Sequence, residues 1–275
     1  MNRHERRKRA SEERRTTKGA AGASSAPATR GVTSSDPLAV EIASKLEDRK
    51  GESEVISAAV AAAGAMDGTL AAIWPASALK PACKRGCSYC CTVRVSVTIP
   101  EVIRVAVHAR HTLGAEQLAG VMKRARDNAR RTHGTTNLGY PPRLACAFLG
   151  EDQSCLVHAA RPLVCRREHS LDVAQCKRGY ELQEIGTDHP ISRVAPAIAA
   201  SNGVLNAFRE GLADAAVDSS AYELQEAAHI ALSDPRAITG WLAGQPTFAR
   251  ARLNPALDAA PIQAPDGHRR LLPGP

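Results

Sequence analysis

The sequence predicts a mainly α-helical protein, a helical scaffold around an irregular cysteine-rich metal-binding region with a short β-hairpin. Three observations carry that prediction. Apolar residues are 44% of the 275 positions, much of that alanine, and aromatic residues are only 3%. Alanine loses no rotamer entropy in a helix and fills little volume, so this composition favours close-packed helices over sheets. Apolar residues also recur at helical spacing in several segments. Finally, all eight cysteines lie between Cys83 and Cys176, where glycine, proline and polar residues interrupt the helical pattern.

Residues 1–35 carry nine Lys/Arg against three Glu, a net +6 out of the chain's +8. They are rich in Ser, Thr, Ala and Gly without apolar periodicity, which predicts a disordered basic arm. Order is expected from Asp36-Pro37, a capping residue followed by a proline at the first helical position. Leu38, Ile42 and Leu46 share the face of that helix, and Gly51 ends the run. A second helix is expected over 53–73, with Val55, Ala59, Ala62, Met66 and Leu70 on one side. Thr98-Ile-Pro-Glu101 has the form of a capping box and starts a third, carrying Val102, Ala106 and Ala109. A fourth follows Gly114, over 115–131, and presents Lys123, Arg124, Arg126, Arg130 and Arg131 outward. The hairpin is expected where Cys146-Ala-Phe-Leu and Cys155-Leu-Val-His158 flank a polar turn. Helices then return over 196–215 and 220–232, the latter behind a second capping box, Ser220-Ala-Tyr-Glu223, and Asp234-Pro235 marks a further helix start. Residues 36–245 thus read as one helical domain with its cysteine core at 80–176, and 246–275 as a loosely ordered, proline-containing tail.

No run approaches the ~20 apolar residues of a membrane helix, so no membrane span is expected. The basic start lacks the apolar segment of a signal peptide, and Glu5, Glu12 and Glu13 argue against a transit peptide. The expected location is the cytosol. Thiols stay reduced there, so clustered cysteines read as ligands before disulfides.

Thiolates are soft ligands that select zinc, copper(I) or iron–sulfur centres. Cys87 and Cys90 have the spacing that lets two sulfurs reach one metal, Cys83 adds a third, and Gly86 permits the tight turn between them. Cys90 and Cys91 are adjacent, so they serve either two metals or a metal and a buried thiol. The count allows two sites of four thiolates, or one site with spare thiols. Four thiolates on zinc or a [4Fe–4S] core leave a charge of about −2. Lys84, Arg85, Arg161, Arg166 and Arg167 stand beside the cysteines in sequence, and Arg161 and Arg166 are the preferred groups to offset it. His108 and His111, at i and i+3 of a helix, are read as surface residues.

The combined pattern, Cys83-x3-Cys87-x2-Cys90-Cys91, Cys146-Ala-Phe-Leu, Cys155 and Arg161-Pro-x-x-Cys165-Arg166, resembles the cysteine-cluster family described as zinc- or iron-chelating. The flagellin lysine N-methylases resemble the same family. The resemblance spans roughly residues 80–170. It implies Cys83, Cys87, Cys90, Cys91, Cys146, Cys155 and Cys165 as metal ligands, and zinc or iron, including [4Fe–4S], as the cofactor. Cys176 lies outside that span. His158 stands where relatives carry Tyr, and is read as a tolerated exchange rather than a ligand.

The leading function is metal binding through this split set of thiolates. An S-adenosylmethionine-dependent protein lysine methyltransferase is the alternative, although no Gly-rich strand–turn–helix signature supports it. Cys83-x3-Cys87-x-Tyr89-Cys90 also resembles the radical S-adenosylmethionine motif, but the strand–helix repeats of that barrel are absent from the pattern. A nucleic-acid-binding zinc protein would use the basic arm, yet the remaining body is nearly neutral and poor in stacking aromatics. No partner is otherwise indicated.

Overall fold

The computed structural model describes residues 33–47, 51–136, 139–183 and 190–254. Expectations for residues 1–32 and 255–275 lie outside these. The mainly helical class holds: 61% of the structure is helix. Its elements are α1 (Pro37–Leu46), α2 (Glu52–Ala76), β1 (Ser96–Val97), α3 (Ile99–Thr112), α4 (Ala115–Thr132), α5 (Leu163–Arg167), α6 (Val173–Leu182), α7 (Ala195–Asp214), β2 (Tyr222–Glu223), α8 (Leu224–Ser233) and α9 (Ala237–Leu242).

The first helices start where their caps predict. Asp36 Oδ1 accepts hydrogen bonds from the backbone N–H of Leu38 (2.8 Å) and Ala39 (3.3 Å) at the head of α1. At α3, Glu101 reaches back to the Thr98 N–H at 2.8 Å. Just ahead of α1, Thr33 and Ser34, placed in the arm by sequence, are held by Asp214 and Glu210 of α7.

α2 is the central element, packing on α1, α3, α5 and α7. Its Val55, Ala58, Ala59, Ala62 and Met66 join Ile42 and Leu46 of α1, Ile103 of α3 and Phe208 and Leu212 of α7 in one core. Small side chains let these helices approach closely. At Gly211 of α7 a Cβ would lie 2.6 Å from both Ala39 O and Ile42 Cβ, so only glycine fits against α1. The expectation that no segment approaches a membrane helix needs correcting. α2 has 25 residues, and an 18-residue stretch within it has a mean hydropathy of 1.5, so it has the length and apolarity for it, because its alanines raise hydropathy without bulk. In this fold one face of α2 is buried in the helical core.

The other departures have physical causes. The turn between Cys146 and Cys155 closes through a single antiparallel bridge, Leu149 with Cys155, because the chain passes directly into a 3-10 turn at His158–Ala160. The two-stranded sheet forms elsewhere, antiparallel, with Ser96 opposite Glu223 and Val97 opposite Tyr222. That pairing extends Tyr222 and Glu223, so Ser220 caps nothing; α8 starts at Leu224, and Glu223 caps it by accepting from the Glu226 N–H at 2.8 Å. Residues 246–254 are not loosely held: Phe248 and Ala251 are buried, each 1% exposed. Two helices, α5 and α6, have no counterpart in the sequence reading. α5 is too short to show a period, and α6 buries no residue, so it has no apolar face to read.

Candidate metal centre

The cysteines reach one region from separate segments. The segment after α2 carries Cys83 into a tight turn, where Cys87 N–H donates to Lys84 O at 3.0 Å and Gly86 has φ +84°. A positive φ at the third turn position is the glycine requirement of a type II turn, as the spacing predicts. A 3-10 turn, Tyr89–Thr92, then presents Cys90 and Cys91 on successive residues. The Cys146 N–H donates to Cys91 O at 2.8 Å, which fastens the second cysteine segment to the first. Cys155 follows across the bridged turn, Cys165 sits within α5, and Cys176 lies on α6.

Neighbouring elements hold these segments in register. Ala82 N–H donates to Ser170 O (2.7 Å), and Ser170 N–H points back to Cys83 Sγ (3.3 Å). Gln225 of α8 donates to Cys146 Sγ at 3.3 Å, while its carbonyl oxygen accepts from Ala147 N–H (2.9 Å) and from Asn128 (3.0 Å). Glu101 of α3, through its other oxygen, accepts from Leu163 N–H at 2.8 Å, anchoring the first residue of the Cys165 helix. α6 docks through Gln183, which donates to Thr92 Oγ1 at 3.0 Å, and through Tyr180, whose ring lies 5.8 Å from that of Tyr89.

All eight thiols are free, and their electrostatics define two neighbourhoods that meet at Cys90. Burial pushes Cys83 up from the usual thiol value, with further repulsion from Cys87, Cys90 and Cys176. Cys87 is likewise raised by burial, with Cys90 and Cys176 adding to it. On the other side burial pushes Cys146 up to about 11, Cys155 upward, and Cys165 well up, the last also repelled by Cys146, Cys90 and Cys155. The adjacent pair is coupled: hydrogen bonding between the two raises Cys91, with burial adding to it, and draws Cys90 below the usual thiol value. Among the described residues, no three His, Cys, Asp or Glu side chains already form a metal-binding group. The donor chemistry nevertheless suits a soft cation. Thiolates crowded into a partly buried region repel one another, and a bound metal removes that penalty by deprotonating its ligands outright.

The sequence-predicted residues fare unevenly. Cys83, Cys87, Cys90, Cys91, Cys146, Cys155 and Cys165 each feel the charge or hydrogen bond of at least one other cysteine or of the arginine beside them, and Cys176, outside the resembling span, acts on Cys83 and Cys87. Asp172, whose carboxylate caps α6 by accepting from Ala174 N–H at 2.8 Å, was the readable sign that Cys176 sits on an ordered element. Gln225 and Ser170 carried no such sign, because they meet the cysteines only through the fold. Of the cations, Arg161 acts on Cys90 and Cys155 and favours the charged form of both, although burial still leaves Cys155 raised. Arg166 does not serve the thiols. It is buried and spends its guanidinium on Asp67 Oδ2, Arg161 O and Ala159 O, because the turn before α5 needs those carbonyls satisfied. Arg85 pairs with the exposed Asp152 (3.2 Å), and Arg167 with Glu168 (2.7 Å).

No curated protein and no solved structure matches the chain. Residues 82–187 match the model of the CxxCxxCC family, described as a putative zinc- or iron-chelating domain. All eight cysteines, Cys176 included, fall inside the matched span. The match supports that family, and with it metal binding, for this region of the chain.

Proposed function

We propose that this protein chelates zinc or iron through two four-cysteine sets, Cys83, Cys87, Cys90 and Cys176 on one side and Cys91, Cys146, Cys155 and Cys165 on the other. One observation supports the reading: segments far apart in sequence bring the cysteines into two electrostatic neighbourhoods that meet at Cys90. Adjacent Cys90 and Cys91 are divided between the sets, which fits their different partners. Metal in these sets would tie α6, which buries none of its residues, to the rest of the helical body, so binding contributes to folding. Arg161 offsets part of the thiolate charge. The setting is a reducing compartment, the cytosol.

Anaerobic purification with elemental analysis and a visible spectrum tests the proposal. Iron with labile sulfide and a brown colour identifies an iron–sulfur centre; a colourless protein with zinc identifies a tetrathiolate site. A protein that takes up neither metal when reduced and reconstituted overturns the reading.

A further inference from the structure

A cavity of about 530 Å³ opens between α2, α3 and the segment from His158 to Arg166. One wall is cationic, with Arg104, Arg161 and Arg166 against the single carboxylate of Asp67. The opposite wall is apolar and open. Val60 is 49% exposed, and a Cβ on Gly64 would meet nothing within 4 Å.

The arginines are not equally engaged. Arg166 is satisfied by Asp67 and backbone carbonyls. Arg104 donates once, to Ala159 O at 2.8 Å. Arg161 makes no side-chain hydrogen bond among the described residues, and its Nε is buried without a partner. Burial and the neighbouring Arg166 both oppose the charge on Arg104. Two guanidinium groups with unused donors therefore face a half-enclosed space that holds one, already paired, acid. Planar guanidinium forks match the oxygens of a phosphate, and an apolar wall a few ångströms away suits a carbon body.

We propose that this cavity binds a small organic phosphate monoester, its phosphate between Arg104 and Arg161 and its apolar part along Val60 and Gly64. The site uses no thiol but shares Arg161 with the metal proposal. Arg161 also faces Cys90 and Cys155, so the competing account is that the thiolates alone satisfy it.

Titration calorimetry of the full chain with phenyl phosphate at low salt distinguishes the two, with metal content measured separately on the same sample. The expected result is saturable 1:1 binding that exceeds that of inorganic phosphate and weakens with added salt. Arg104→Gln should weaken it tenfold or more at unchanged metal content. Val60→Asp, at an exposed position that spares the fold, should do the same by placing a carboxylate at the mouth. No saturable binding by the wild-type chain overturns the proposal, whatever the metal content. So does phenyl phosphate binding of wild-type strength in both variants.

Discussion

Glu101 joins the scaffold to the cysteine region through one carboxylate, and removing it has a calculable cost. One oxygen accepts from Thr98 N–H and Thr98 Oγ1, both at 2.8 Å; the other accepts from Leu163 N–H at 2.8 Å, and the side chain is buried. In Glu101→Ala the Leu163 N–H is left buried without an acceptor, at about 1–3 kcal/mol. The lost cap on α3 adds about 1 kcal/mol. The total, about 3 kcal/mol, is a large fraction of the ~5–15 kcal/mol by which a typical domain is stable. At about 2–4 °C per kcal/mol for a domain of this size, melting should fall by about 6–12 °C. Urea denaturation with an unchanged m-value measures the loss directly. Because Leu163 opens the helix bearing Cys165, the variant should also bind metal more weakly. A denaturation midpoint equal to wild type, or full stability loss with undiminished metal affinity, would refute the coupling.

Cys176→Ser should reduce metal content as much as Cys87→Ser does, measured by elemental analysis of reconstituted protein; wild-type content in Cys176→Ser would exclude it from the set. Metal uptake should release protons, since burial keeps Cys146, raised to about 11, and its neighbours Cys155 and Cys165 protonated at neutral pH. Affinity should therefore fall as pH is lowered, and calorimetry in buffers of different ionisation enthalpy should show heats that scale with the buffer. At Asp218, burial pushes the carboxyl up, but hydrogen bonds from Ser220 and Tyr222 more than reverse this, leaving it below its ordinary value. The folded form thus holds its proton less tightly than the unfolded one, so the stabilisation is present above about pH 4 and lost as pH falls through the folded value. Asp218→Asn should be less stable near neutral pH and should lack that part of the acid loss, as pH-dependent urea titration reads.

Local signals were legible wherever the cause is local. Asp36 before Pro37 and Glu101 three residues after Thr98 mark their helices in sequence and do so in the structure. Gly86 likewise announces the turn it makes. Local reading failed where distant chain intervened. Ser220-x-x-Glu223 looks like a capping box, yet pairing with Ser96–Val97 draws Tyr222 and Glu223 into a strand. α6 buries none of its residues, so no period advertised it, and the role of Cys176 stayed open with it.

By itself the sequence determined the helical class, through alanine content and apolar spacing, and the soft-metal character of the site, through the kind and clustering of its donors. Those properties belong to residues and their near neighbours. Only the tertiary structure decided how the cysteine segments meet, that Arg166 serves Asp67 and two carbonyls while Arg161 lies within electrostatic reach of Cys90, and that Gln225 of α8 supports Cys146. These pairings join residues tens of positions apart. Such contacts depend on how helices pack, and packing is a property of the whole core rather than of any one segment.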